Sequence, residues 1–181
     1  MNKELEVKLL KVDIVEVEEK LKSKNAKLIK KELQVNTIID SYDRPIKNIT
    51  DGYLRIRESK DLVENTMTTT LTFKEKVENK DLRENIEHNV DIQDRDTMIE
   101  ILKVLGFDNI KIGYKERTSY SFNDARIDID IWDKETYPHP YIEIEVENNE
   151  KLYEIIEELE ISDENISTKS ILELRKELNL E

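Results

Sequence analysis

Apolar and polar residues alternate with period two in eight segments of this chain, and no other feature limits its fold as much. The segments are roughly 3–10, 32–41, 52–58, 66–76, 84–92, 111–121, 125–132 and 141–147. Such alternation puts one set of side chains on each face of a β-strand. Shorter stretches between and after them carry helical spacing: Ile14, Val17 and Leu21; Met98, Ile101, Leu102 and Leu105 before Gly106; Leu152, Ile155, Ile156 and Leu159; Ile171, Leu174 and Leu178. These stripes read as packing faces. Turn chemistry marks loops at 43–52 and 133–140. Eight strands with mostly short connections predict a mainly β (α+β) fold with an antiparallel sheet. Closure into a barrel would remove the sheet's edges, and an open α+β sheet is the alternative. At 181 residues, with no repeat and no linker, the chain reads as one domain, 1–181. Its strands fall within about 3–147 and its last helices within about 150–179.

Composition narrows the chemistry. Acidic residues number 42 and basic ones 29, a formal charge of −13. That disfavours a chain that wraps duplex nucleic acid or rests on an anionic membrane. The three glycines, Gly52, Gly106 and Gly113, lie far apart, so no glycine-rich phosphate loop is present. Without cysteine there are no disulfides, thiolate metal sites or thiol nucleophiles, which suits a reducing compartment. Two histidines make an imidazole zinc site or a Ser-His-Asp triad unsupported. His88 falls on the apolar parity of its strand, and His139 sits between two prolines. The opening Met1-Asn2-Lys3-Glu4 has no apolar stretch of a signal peptide, and the cytoplasm is the expected location. Catalysis, if any, falls to carboxylates, lysines, arginines and metal ions.

The charged faces of the strands are unusually orderly. Glu4, Glu6 and Lys8 share a face of the first segment; Glu143, Glu145 and Glu147 share a face of the last. Residues two apart on a strand lie about 6.5–7 Å from one another, close enough for like charges to repel unless a cation intervenes. Mg2+ and Mn2+ prefer such oxygen ligands to Cys or His. Other strands carry the opposite sign: Arg55 with Arg57, Lys74 with Lys76, Lys115 with Arg117, and Arg126 beside Asp128 and Asp130. Pointed into one cavity, these faces would suit a metal-bridged polyphosphate. Pointed outward, they would be an ordinary wet face, and periodicity does not choose between the two.

The order of these motifs resembles the CYTH family, the triphosphate tunnel metalloenzymes. Glu4-Leu5-Glu6-Val7-Lys8 reads ExExK at the N-terminus; the Arg55/Arg57, Lys74/Lys76 and Lys115/Arg117 strands follow, then Ile129-Asp130-Ile131-Trp132 and Ile142-Glu143-Ile144-Glu145. The resemblance covers about residues 1–147. It implies a closed eight-stranded antiparallel barrel whose lumen binds triphosphate with Mg2+ or Mn2+. Carried over, Glu4, Glu6, Asp130, Glu143 and Glu145 would hold metal. Lys8, Arg55, Arg57, Lys74, Lys76, Arg83, Lys115, Arg117 and Arg126 would contact phosphate. Glu4, Glu6 and Lys8 would carry the catalysis, and Glu87 matches a mid-chain glutamate of the family. Two departures stand out. Glu147 extends the Glu-x-Glu run and reads as strand rim. The segment 133–140 is longer than the family's turn, which makes Asp128 the alternative to Asp130.

Three functions fit that resemblance. The first is hydrolysis of a triphosphate such as tripolyphosphate, thiamine triphosphate or ATP. The second is a class IV adenylate cyclase, making cyclic AMP and pyrophosphate from ATP. The His-Phe pair that such cyclases carry before ExExK is absent, since only Met1-Asn2-Lys3 precede it. Trp132 or Tyr53 could stack a base, although a structural role is the ordinary one for an aromatic. The third is a non-catalytic polyphosphate or nucleotide binder. An organic group would be read at the tunnel mouth by loops such as 43–52 and 133–140. A homodimer stays open.

Overall fold

Among the described residues, nine strands and four α-helices follow in the order β1 (Asn2–Leu9), α1 (Ile14–Ser23), β2 (Lys27–Asp40), β3 (Gly52–Asp61), β4 (Met67–Val77), β5 (Arg83–Asp91), α2 (Arg95–Val104), β6 (Asn109–Phe122), β7 (Ala125–Trp132), β8 (Tyr141–Val146), α3 (Asn149–Glu158), β9 (Ile166–Ser167) and α4 (Ile171–Glu177). This computed structural model describes residues 2–77 and 83–180; the side chains of residues 2–4 and of Arg83 lie outside that description. Strand order is β5-β4-β3-β2-β6-β7-β8-β1, and β5 pairs back onto β1. Every pairing is antiparallel. The sheet is therefore a closed eight-stranded barrel. The two-residue β9 adds to β1 at Lys8 and Leu9, beyond the reach of β5, which pairs only as far as Glu6.

The barrel is apolar outside and charged inside. Val7, Leu9, Ile127, Ile129, Ile142 and Ile144 point outward and pack under α1 and α3, with Val17, Leu21, Leu152, Ile155, Ile156 and Leu159. A second cluster joins Ile39 and Ile56 to Ile99 and Leu102 of α2. A third joins Tyr137 and Tyr141 to Leu174 of α4, with Trp132 and Ile171 against it. The hydrophobic cores thus lie between wall and helices, which frees the interior for polar groups.

One expectation is corrected here. The buried face of α2 is Met98, Ile99 and Leu102; Ile101 and Leu105 are largely exposed. With Asp94 as N-cap, the helix seats Ile99 and Leu102 on the barrel and turns Ile101 away. His88 is exposed, because the apolar parity of β5 is the outer face; its ring lies 6.5 Å from that of Phe73. Glu147 is exposed just beyond β8, as its reading as strand rim anticipates.

Candidate functional site: a two-signed barrel lumen

Register alone assembles the lumen. Lys8 of β1 stands opposite Glu143 and Glu6 opposite Glu145. Asp128 of β7 stands opposite Glu143 and Arg126 opposite Glu145. Across β6, Arg117 meets Asp130 and Lys115 meets Trp132. Arg55 and Arg57 of β3 face inward with Lys74 of β4 and Glu87 of β5. These side chains line a cavity of about 670 Å³ that also takes in Asn36, Lys76, Lys111, Gly113, Arg126 and Tyr141. A smaller cavity of about 410 Å³ opens at the opposite end, lined by Leu5, Asp124, Arg126, Glu145, Val146 and Glu147.

The signs are grouped by strand, with Lys8 and Arg126 set among the acids and Glu87 beside the cations. Glu6, Asp128, Asp130, Glu143 and Glu145 come from the adjacent strands β1, β8 and β7. Arg55, Arg57, Lys74 and Lys76 come from β3 and β4 on the other side, with Lys115 and Arg117 of β6 bordering the acids. Arg117 is the pivot of the acidic wall. Its Nε donates to Asp130 at 2.6 Å, its Nη1 pairs with Asp128 at 2.6 Å, and its Nη2 reaches Asp130 and Glu143, each at 2.5 Å. Burial would lower its pKa, but the three carboxylates outweigh that and raise it well above the ordinary arginine range. Asp130, fully buried, also accepts from Lys115 at 2.8 Å. Glu143 pairs with Lys8 at 3.0 Å, and its carboxyl is held well below the usual range by Lys8, Arg117 and Lys115 against the cost of burial. Asp128 also anchors Arg126 at 2.9 Å.

The cationic wall is under-compensated. Arg57 donates to Asn36 at 2.9 Å, and burial with repulsion from Arg55 and Arg117 lowers its pKa to about 10. Arg55 is 9% exposed and its buried Nε has no hydrogen-bond partner. Among the described residues, no carboxylate lies within ion-pair distance of either guanidinium. Lys115 is pushed down to about 7, by burial first and by Arg117 second, with Asp130 opposing. Lys74 bridges Glu6 at 3.4 Å and Glu87 at 3.1 Å. Burial raises the Glu87 carboxyl, yet Lys74 and Arg55 bring it down to about 2. Fixed, partly unneutralised guanidinium groups inside a barrel have the chemistry that suits an anion.

The acidic wall carries oxygen donors of the kind a hard divalent cation takes. Glu6 accepts from Asn85 Nδ2 at 3.2 Å, and the fully buried Asn85 has its Oδ1 unpartnered beside it. An orphaned carbonyl next to a glutamate, with Glu145 opposite, fits Mg2+ or Mn2+. Among the described residues, no three acids already converge as a metal cluster. Glu4, whose backbone stands opposite Asn85, has its side chain outside the described residues, as does Arg83, whose backbone stands opposite Glu6. Asp130 is committed to Lys115 and Arg117.

The structure thus gathers Glu6, Lys8, Arg55, Arg57, Lys74, Lys76, Lys115, Arg117, Arg126, Asp128, Glu143 and Glu145 around one cavity, with Asp130 in the wall beneath Arg117. Lys76 sits at its mouth, 3.8 Å from both Asp51 and Glu173. Asp51, Gly52, Glu135 and Thr136 bring both mouth loops to the cavity. Sequence reasoning missed Asn85, Asn36, Lys111 and Tyr141, and the contribution of Ser170, Ile171, Leu172 and Arg175 from α4. Parity could have found Lys111, which shares a strand face with Lys115 and Arg117; nothing in the sequence marks α4 as a mouth element.

The CYTH domain pattern matches residues 2–173. The chain belongs to the CYTH family. A protein of Methanocaldococcus jannaschii named "Putative adenylate cyclase MJ0240" is 33% identical over 181 residues, 95% of this chain and 98% of that one. The solved PH1819 protein of Pyrococcus horikoshii superposes with a TM-score of 0.80 at 26% identity, covering 97% of this chain and 99% of its own. A Hippeastrum protein named "Putative adenylyl cyclase HpAC1", described as having a dominant triphosphatase activity, shares the fold at 14% identity and a TM-score of 0.63, with 94% and 91% covered. The CYTH lumen is the common frame in which the residues above are arranged.

Proposed function

We propose that this CYTH protein is a divalent-metal-dependent enzyme acting on the triphosphate of a nucleotide, ATP first, as a class IV adenylate cyclase does. The observation that carries the reading is the pair Arg55 and Arg57, two inward guanidinium groups without a described carboxylate, one of them with a buried Nε lacking any partner. A polyanion threaded along β3 and β4 supplies what they lack. The name of the M. jannaschii relative supports ATP and cyclisation.

In this reading Lys8, Lys74, Lys76, Lys115 and Arg117 complete the phosphate contacts, and Asp128 and Asp130 hold Arg117 in place. Glu6, Glu143 and Glu145, with Glu4 and the Asn85 carbonyl, would hold Mg2+ or Mn2+. The ion would supply positive charge that offsets charge developing on the phosphate oxygens. The ribose 3′-hydroxyl would attack the α-phosphorus and give up its proton to solvent, the bond to the bridging oxygen would break, and pyrophosphate would leave. Preorganised cations carry most of the rate, since their geometry is fixed before the charge moves.

Hydrolysis of the same triphosphate, or of tripolyphosphate or thiamine triphosphate, is the second reading. What favours it is that the described cations of the lumen suit phosphate and its acids suit a divalent metal, a set that a bare triphosphate already satisfies. Incubating ATP with Mg2+ and with Mn2+ decides: cyclic AMP with pyrophosphate supports cyclisation, and ADP with phosphate supports hydrolysis. Tight triphosphate binding without turnover under either metal would leave a binding protein and sink both enzymatic readings.

A further inference from the structure

Trp132 is the chain's only tryptophan, and it ends β7 on the wall of the cavity mouth. Three neighbours hold it. Its indole N–H donates to the Tyr141 hydroxyl at 2.9 Å. Lys115 Nζ lies 5.1 Å from the ring centroid. Gly113 makes room: a Cβ there would lie 3.2 Å from Trp132 Cζ3 and 2.5 Å from Thr136 Oγ1, so a larger residue would have to push Thr136 aside and crowd the indole. Gly113 has an ordinary strand conformation, and the need is for space rather than for a left-handed backbone.

The ring packs at the edge of the Tyr137, Tyr141 and Leu174 cluster without being closed into it. Trp132 is only partly buried, and the cavity that it lines also takes in the apolar or aromatic side chains of Tyr53, Ile112, Ile171 and Leu172. Ile112 is 49% and Leu172 59% exposed. A bare polyphosphate gains nothing from such a wall, whereas a flat heteroaromatic group does. At about 670 Å³ the cavity also has the size of a site for a whole organic ligand.

We propose that Trp132, held by Tyr141 and given room by Gly113, is the platform for the planar base of an organic triphosphate, and that it separates such substrates from inorganic tripolyphosphate. The inference rests on the triphosphate reading above and adds the group that the mouth selects.

The single tryptophan makes the wild-type protein its own probe. ATP at saturation, with Mg2+, is expected to quench the indole fluorescence beyond the change that tripolyphosphate produces, because both ligands reach Lys115 and only ATP reaches the ring. Equal changes with the two ligands overturn the proposal. In parallel, Trp132→Leu is expected to weaken ATP binding by about tenfold to a hundredfold while tripolyphosphate affinity moves less than about threefold. A proportional loss for both ligands, or no loss for ATP, makes Trp132 a wall residue only. If tripolyphosphate binds wild type and the ATP effects are missing, the base platform fails and the tunnel reading survives. If neither ligand binds with Mg2+ or Mn2+, both fail.

Discussion

Glu6 is held by neighbours of two kinds: the ammonium groups of Lys74 at 3.4 Å and Lys8 at 3.8 Å, and the Asn85 amide at 3.2 Å. The ammonium groups hold its charge and the amide aims it. Glu6→Gln keeps the shape and removes the charge. It should lower Mn2+ affinity, read by isothermal titration, by at least about tenfold, with a melting temperature within a few degrees of wild type. Unchanged affinity would remove Glu6 from the metal site. Acid sensitivity follows from the same wall. Glu87, Asp130 and Glu143 all have carboxyl pKa values lowered by their cationic neighbours in the folded chain. In the unfolded chain they return to ordinary values, so the unfolded state binds more protons as pH falls. Their stabilisation is complete above about pH 4.5 and is lost as pH falls towards about 2, the value Glu87 reaches. Glu87→Gln should flatten the fall of melting temperature across that window; an unchanged slope would show that Glu87 contributes nothing to it.

Single strands were legible because most of them alternate without interruption, and the exceptions have a local cause. β2 starts at Lys27 rather than near 32: Leu28 and Ile29 are adjacent apolar residues, and the register onto β6 slips between Leu28 and Lys30. A bulge resets parity, so alternation cannot reveal a strand that runs through one. The charged lumen residues were legible for the opposite reason, since like signs two apart stand out. Asn85 and Gly113 were not, because each matters through one neighbour that only the closed barrel supplies. Helix α4 was legible as a helix from Ile171 and Leu174, but its place at the cavity mouth was not. It carries a capping box, Ser170 with Glu173, and buries Leu174 at 3% exposure against Tyr137 and Tyr141. Arg175 donates to the carbonyls of Glu135, Thr136 and Leu180, tying the helix to the 133–140 loop. Leu174→Ala should cost about 2–5 kcal/mol of local packing. Amide exchange should then accelerate over 171–178 while the α1 and α3 faces of the barrel keep their protection. Uniform acceleration throughout the chain would mean that α4 is part of the global folding unit rather than a cover docked on the mouth.

For the whole molecule, the formal charge of −13 and a cation-lined lumen are compatible because they occupy different places. The acids in excess lie largely on exposed helix faces: Glu157 and Glu158 of α3, Glu16 and Glu19 of α1, and Glu160 beyond. A large polyanion meets that exterior first and is repelled, whereas a small one that enters the barrel meets Arg55, Arg57 and Lys74 at short range, where salt screens poorly. Folding the strands with their apolar sides outward under helices is what makes such an interior affordable, since the hydrophobic stabilisation is gained elsewhere. Unrelieved repulsion among the inward cations should then make the ligand-free barrel the less stable form. Tripolyphosphate with Mg2+ at about a hundred times its dissociation constant adds about 2.7 kcal/mol, which for a chain of this size raises the melting temperature by roughly 5–10 °C. Duplex DNA at equal phosphate concentration and physiological salt should leave the melting temperature unchanged. A comparable shift with DNA would place the anion site on the exterior, and no shift with tripolyphosphate would mean that the inward arginines are satisfied without a phosphate ligand.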